Sequence, residues 1–554
     1  MKPGPVSYDY VIVGGGSAGC VLANRLTEDA RTSVLLLEAG PPDTYPWIHV
    51  PIGYGKTMFH PVLNWGFESE PEPNLNGRRI YTPRGRTLGG SSAINGLIQI
   101  RGQAEDFDQW ETLGAEGWNR QEALRYFIKS ERNARGAGPY HGADGPLWVS
   151  DINQRHELAD AFIAGARDLG IPPTDDFNGP SQEGAGYLQL TTRNGFRCSA
   201  AVAYLRPARR RRNLRVVTGA HVLRVLLDGR RAIGVEYRKD GGSTQQVGAS
   251  REVLLSAGAL QSPQLLQLSG IGPADLLSSL GIPVLHDAPG VGENLQDHLL
   301  LRFLYKCTKP ITTNDDLRSP LKKLQTALRY AMFRKGPMAI GVMIASLITR
   351  VMPDATSPDM QIFLSTVSAD DRGKKPHAFS GFTMTYYPLR PSSRGSVRIK
   401  SPDPMAPPAM VFNYLSTNYD RAIMVAGARL TRRLAATRSF APYIFEEYRP
   451  GSAVETDADI VGAVRDAGTT GFHPVGTCRM GRDERSVVDP RLRVRGVAGL
   501  RVIDASVMPT LVSGNTNAGT IMIAEKAADM IREDAAKDNP VTVDRARVAV
   551  ASAR

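Results

Sequence analysis

Cysteine is scarce in this chain: four in 554 residues, Cys20, Cys198, Cys307 and Cys478, with no CxxC pair and no spacing suited to zinc. Neither a disulfide framework nor a metal site is expected, and a reducing compartment, the cytoplasm, is. Long apolar runs are missing as well. No stretch approaches the roughly 20 uninterrupted apolar residues that cross a bilayer. The first apolar segment, Tyr10-Val11-Ile12-Val13, has no separate basic region ahead of it, so it reads as a strand and not as a signal peptide. There are no internal repeats. Acidic charge falls short of basic, leaving a formal net charge of +12. The densest basic piece, Arg206-Pro207-Ala208-Arg209-Arg210-Arg211-Arg212, has no interleaved aromatics and no recognition module around it. That argues against nucleic acid and for a solvated connecting loop. Peripheral attachment to an anionic membrane, where quinones reside, stays open, although no amphipathic anchor is read from the sequence.

What is present is length and patterned glycine. With 42% apolar and 22% charged residues, the chain is long enough for two or more structural units with ample core. Tyr10-Val11-Ile12-Val13-Gly14-Gly15-Gly16-Ser17-Ala18-Gly19, followed by Ser33-Val34-Leu35-Leu36-Leu37-Glu38, spells strand, glycine turn, helix, second strand and terminal acid. Gly14 permits the tight turn, Gly16 the approach of a pyrophosphate, and Gly19 the close packing of helix on strand. Ser17 and Ala18 open a helix whose N-terminus faces the phosphates, and Glu38, with Ala39 beside it, falls where an acid meets an adenosine ribose. A lone GxGxxG is a common turn; strand, helix and acid in register make it a dinucleotide site.

An NAD enzyme needs little more, whereas FAD is bound along its whole length and calls for further backbone loops. Three are present. Pro83-Arg84-Gly85-Arg86-Thr87-Leu88-Gly89-Gly90-Ser91-Ser92-Ala93-Ile94-Asn95-Gly96 turns consecutive N–H groups toward an anion or flat ring. Gly258-Ala259-Leu260-Gln261-Ser262-Pro263 opens a second loop, running on to Gly272. The third joins Gly471-Phe472-His473-Pro474-Val475-Gly476 to Ile503-Asp504-Ala505-Ser506 and Ser513-Gly514-Asn515-Thr516-Asn517. Together and in this order, from about Tyr8 to about Ile531, these elements resemble the glucose-methanol-choline oxidoreductase family, in its choline dehydrogenase-like branch of FAD-dependent alcohol dehydrogenases and oxidases.

The resemblance implies FAD as cofactor. Beyond the residues of the first turn, it implies cofactor contacts from Arg84, Leu88, Gly89, Ser91, Asn95, Gly96, Leu97, Ile98, Val222, Ala257, Phe472, Asp504, Ala505 and Asn517. The apolar runs at 10–13, 34–37, 214–217, 253–257 and 500–503 are assigned to one α/β, Rossmann-like FAD-binding domain assembled from discontinuous segments (1–153, 213–303 and 468–535). Strand-like runs at 360–364 and 381–387 mark an α+β substrate domain on an antiparallel sheet (154–212 and 304–467), helices covering one face. Residues 536–554 read as a poorly ordered tail.

Alcohol oxidation on a flavin needs a base beside the hydroxyl. His473 stands in the segment matching the family's catalytic histidine, and imidazole suits a base near neutral pH. An isolated buried histidine is ordinarily satisfied by a backbone carbonyl; among nine, only this one lies in such a segment, and His298, its nearest competitor, is assigned to structure. Counting back from the terminal helix gives Asn515 as the partner that holds the alcohol oxygen. Asn517, at the start of that helix, either faces the flavin or caps the helix. Choline-specific relatives are expected to carry a carboxylate in the stretch that here reads 335–348, and no acid appears there, so a neutral primary alcohol, aliphatic or aromatic, is favoured. Met338 and Met343 in that stretch suit a deformable pocket or plain core packing. Choline dehydrogenation and lyase chemistry on the same scaffold are the alternatives. The acceptor is quinone-like or oxygen, and oligomeric state is not legible.

Overall fold

The structure, a computed structural model, describes residues 6–537 apart from 153 and 372–374. Two seven-stranded sheets organise it. In the first, Ser7–Val13, buried from Tyr10 to Val13, pairs in parallel with the buried Val34–Leu37, Val11 opposite Leu35, and continues in parallel onto Thr244–Leu255, Val11 opposite Val253. Leu214–Val217 and Leu500–Val502 extend the parallel set, so the five apolar runs assigned to one domain do share one sheet. An antiparallel ribbon, Ala220–Asp228 and Arg231–Lys239, completes it. Near-continuous Val, Ile and Leu is what a strand covered on both faces requires.

The helix Ser17–Leu26 packs against this sheet, and a Cβ on Gly19 would stand 1.9 Å from the carbonyl oxygen of Gly14. The last helix, Thr516–Lys537, lies along it. Arg25 pairs with the fully buried Glu525 at 2.8 Å, and the Tyr204 hydroxyl donates to the same carboxylate at 2.9 Å. Removing one member of such a buried pair strands the other charge, at about 3–5 kcal/mol. This helix runs through Lys537, two residues into the segment read as a tail; the rest of that segment lies outside the described residues.

The second sheet is antiparallel, in the order Ile444–Arg449, Leu299–Cys307, Gly381–Pro388, Met360–Ser365, Met343–Thr349, Gly184–Tyr187, with Thr469–Thr470 pairing on Leu299–Cys307 as the seventh strand. Residues alternate across it. Met360 and Tyr386 meet the helix Asn418–Ala435, where the Tyr386 hydroxyl donates to the Met424 carbonyl, while Phe363, Thr383, Thr385 and Tyr387 point the other way.

Two sequence readings change. The Arg206–Arg212 stretch is only partly a solvated loop: Arg206–Ala208 is helical, Arg206 pairs with Asp43, and Arg211 donates to Thr27 Oγ1. An amphipathic element, missed in the sequence, exists at Pro320–Phe333. Tyr330 is the one buried residue of that helix; Leu321, Leu324, Leu328 and Met332 are exposed. Each large apolar side chain left in water forgoes roughly 1.5–3 kcal/mol.

Candidate active site

A cavity of about 520 Å3 lies between the sheets, a volume suited to a small-molecule or cofactor site. One wall is the glycine turn and its surroundings: Gly14, Gly16, Ser17, Ala18, Glu38, Ala39, Val222 and Ala257. Arg84, Ser91, Asn95, Gly96, Leu97, Ile98, Phe472, Asp504, Ala505 and Asn517 also line it, as do His473 and Asn515. Gly19, Leu88 and Gly89, expected at the cofactor, do not. Gly19 sits under Gly14, Leu88 is buried against Gly15, and Gly89, at φ 90°, donates its N–H to the Gly15 carbonyl at 2.7 Å. They shape the turn from behind.

The dinucleotide wall is built to be touched by something other than protein. Gly14, at φ 102°, leaves no room for a Cβ, which would meet the Ser256 oxygen at 2.5 Å. A Cβ on Gly16 would meet no protein atom nearer than 3.9 Å, so that backbone stays open toward the cavity. Glu38 accepts from Gly15 N at 2.8 Å and Gly40 N at 2.7 Å, and burial pushes its carboxyl up to about 7. Each oxygen keeps a lone pair for a ribose hydroxyl. Asp504, raised by burial, accepts from Gly258 N and Ser506 N, both at 2.8 Å, and so ties two lining loops together. The Ser17 hydroxyl donates to Asn517 Oδ1 at 2.7 Å; Asn517 is the second residue of its helix, inside the first turn and not its cap.

His473 is held from three sides. Phe472 has φ 69°, a left-handed conformation that costs a non-glycine residue on the order of 1–3 kcal/mol. The peptide that follows is clamped at both polar atoms: Arg84 donates to the Phe472 carbonyl at 2.7 Å, and the His473 N–H donates to Asp297 at 2.7 Å. Both clamps are buried, which lowers Arg84 to about 10 and raises Asp297. On the ring, His298 Nδ1 lies 2.9 Å from His473 Nδ1, and His298 Nε2 lies 3.0 Å from the Leu389 carbonyl. A carbonyl only accepts, so His298 Nε2 carries the proton. Burial holds His298 neutral, its pKa down to about 4, and its Nδ1 therefore accepts from His473 Nδ1–H. In a neutral His473 this tautomer leaves Nε2 with its lone pair, 3.0 Å from Asn515 Nδ2, which donates to it. Asn515 Oδ1 and Ser256 Oγ are buried without a hydrogen-bond partner among the described residues. An unprotonated nitrogen, an amide donor and an orphaned acceptor thus converge at the cavity.

Residues 8–300 match the N-terminal model of the GMC oxidoreductases and residues 391–524 the C-terminal one. The chain belongs to the GMC oxidoreductases. It is 44% identical to the mitochondrial choline dehydrogenase of Homo sapiens, covering 96% of this chain and 92% of that one. To the alcohol dehydrogenase (acceptor) of Pseudomonas putida it is 43% identical, over 95% of each. The crystal structure of pyridoxine 4-oxidase from Mesorbium loti superposes with a TM-score of 0.86 at 32% identity, covering 95% of this chain and 99% of that one. This GMC oxidoreductase is an FAD-dependent enzyme acting on alcohols, and its open glycine turn, the Glu38 carboxylate in the lining and the orphaned polar atoms fit that cofactor.

Sequence reasoning gave His298 too small a part. It does not line the cavity, yet it sets the tautomer of the residue that does. Tyr387, Thr385, Thr383 and Phe363 were also missed as cavity residues. In the 335–348 stretch, Met343 lines the cavity and Met338 does not. Glu446 and Glu447, on the strand Ile444–Arg449, do not line the cavity and are engaged by Lys306 and Arg432 at 2.7 Å each. Among the described residues, the carboxylate that does reach the lining besides Glu38 and Asp504 is Asp371, whose charge is felt by Arg302 in the same lining.

Proposed function

We propose that the enzyme oxidises a neutral primary alcohol, aliphatic or aromatic, to the aldehyde, with His473 as base. The observation that carries the reading is the Leu389–His298–His473 chain, which leaves Nε2 as an acceptor facing Asn515. An incoming hydroxyl displaces the amide from Nε2, donates its proton there and accepts from Asn515 Nδ2. Bound FAD supplies the hydride acceptor. With neutral His473 locked by the Phe472–His473 clamps, the hydroxyl proton leaves without reorganisation of the loop. Glu38 holds the ribose, and Asn517, at a helix N-terminus, faces the part of the flavin that gains charge. Segments 1–153, 213–303 and 468–535 serve the cofactor, and 154–212 and 304–467 the substrate.

Among the described residues no uncompensated acid stands beside the apolar Val342, Met343 and Phe363, which supports a neutral substrate, since a buried quaternary ammonium needs a counter-charge. Electrons pass to a quinone-like acceptor or to oxygen, and a quinone acceptor would bring the enzyme to a membrane surface. Anaerobic mixing with a panel of alcohols, followed by reoxidation with air or a quinone analogue, tests substrate and acceptor in one assay. Flavin that no alcohol bleaches would end the proposal.

A further inference from the structure

The helix Pro320–Phe333 is inside out. It is capped as a stable helix should be: the Ser319 hydroxyl accepts from Lys322 N, Pro320 takes the first turn, and Arg334 closes it in the left-handed conformation. At 100° per residue, Leu321, Leu324, Leu328 and Met332 fall within about 80° of one another, and Tyr330 lies about 180° from Leu321. On a helix packed against a globular body, the leucine stripe faces inward. Here Tyr330 faces inward, 5% exposed, its hydroxyl donating to the Gly195 carbonyl at 3.0 Å. The stripe faces solvent: Leu321 is 72% exposed, Leu324 57%, Leu328 47% and Met332 64%, with Phe333 at 63%.

Charge says what covers it. The helix has no acidic residue; Lys322, Lys323 and Arg329 lie on it, and Arg334 and Lys335 follow. Among the described residues no carboxylate pairs with Lys323, Arg329 or Lys335. Lys322 and Arg329 border the stripe along one side, Lys323 lies nearer the Tyr330 side, and Arg334 and Lys335 follow its end; an apolar stripe with cations about it matches the boundary of an anionic bilayer, acyl chains against the leucines and headgroups against the cations. Position adds a third argument. The preceding helix, Thr313–Arg318, lines the cavity through Thr313 and Leu317, and Leu317 is itself 41% exposed. The stripe therefore sits beside an opening of the substrate cavity.

We propose that the helix Pro320–Phe333 docks this enzyme on an anionic membrane surface, laying its leucine stripe in the interface and turning the cavity mouth toward the lipid. Docking of this kind adds a lipid phase as the source of apolar substrate or acceptor. It does not rest on the assignment of His473 or of the alcohol, and its test reads lipid binding, not turnover. The FAD-loaded enzyme is floated with phosphatidylcholine vesicles with and without phosphatidylglycerol. Co-flotation with the anionic vesicles and little with the neutral ones is expected. Leu324→Ser/Leu328→Ser/Met332→Ser, all at exposed positions, should lower the partition coefficient on the order of tenfold or more. Lys323→Glu/Arg329→Glu/Lys335→Glu, or high salt, should abolish the preference for anionic lipid. Turnover with a water-soluble dye should be unchanged in both variants. The proposal is overturned if the enzyme stays with the soluble fraction at low salt, or if the serine variant floats as well as the parent. It is equally overturned if light scattering shows a dimer that the serine variant dissolves, which would give the stripe to a second copy of the chain.

Discussion

The two walls of the cavity are made differently. On the dinucleotide side the surface is backbone, exposed by glycine: Gly14 and Gly16 have no side chain to give, and Glu38 spends its carboxylate on two N–H groups as well as on the lining. On the sheet side the surface is side chain, the alternate residues Phe363, Thr383, Thr385 and Tyr387 of two strands. A backbone wall cannot vary without losing its turn. A side-chain wall changes with any substitution, and proteins similar to this chain over most of its length are named for different substrates, choline, alcohol and pyridoxine. His473 stands between the walls.

The hardest way to break the arrangement is at that junction. His473→Ala should retain FAD and lose on the order of 100-fold or more in the rate of flavin reduction by alcohol, read by anaerobic stopped flow. A loss of flavin instead would place His473 on the cofactor wall. Asn515→Ala should follow it, and an intact Asn515→Ala beside a dead Asn517→Ala would shift the partner by two residues. His298 comes next. His298→Leu, which removes the acceptor for His473 Nδ1–H, should cost kcat about tenfold or more with KM little changed, since the base is misprotonated and not absent. His298→Gln presents an amide donor to Leu389 and an amide acceptor to His473 and should restore most of the rate.

The same residue sharpens the contrast through pH. His298 has its folded pKa depressed to about 4, from an ordinary value of 6.5. Above 6.5 neither state of the chain binds the proton; as pH falls toward 4, the unfolded chain takes up a proton that the folded one refuses. Its contribution to stability is therefore present above 6.5 and lost through that window. The Tm of the parent should drop relative to that of His298→Gln between those values, and parallel curves would mean that His298 is not neutral in the fold.

Smaller effects belong to the walls themselves. Glu38→Ala should weaken FAD retention several-fold on dilution or gel filtration while leaving the sheet side untouched, provided the ribose hydroxyls use the lone pairs left to it. The mildest expectation is a preference in kcat/KM for a benzylic or medium-chain alcohol over choline under one acceptor and pH. A preference for choline would make Asp371, despite Arg302 near it, the counter-charge.

The backbone wall was legible in the sequence because glycine spacing is itself a geometric statement: Gly14, Gly16 and Gly19 can be placed before any contact is known. The sheet side was not. Met360–Ser365 and Gly381–Pro388 are buried on both faces, so no alternation separates the residues that meet helix from those that meet cavity. His298 stood in view, but nothing local says that its ring reaches a residue 175 positions away. The leucines of Pro320–Phe333 have a readable period, yet a period predicts a helix and not the side on which water lies.

Ser17 and Asn517 share a hydrogen bond across 500 residues, as do Arg25 and Glu525. Synthesis runs from one to the other. The glycine turn and its first helix are therefore made some 500 residues before the helix that covers them, and His473 is made before Asn515. Neither the turn nor the base has its full set of partners until the helix Thr516–Lys537 has been added.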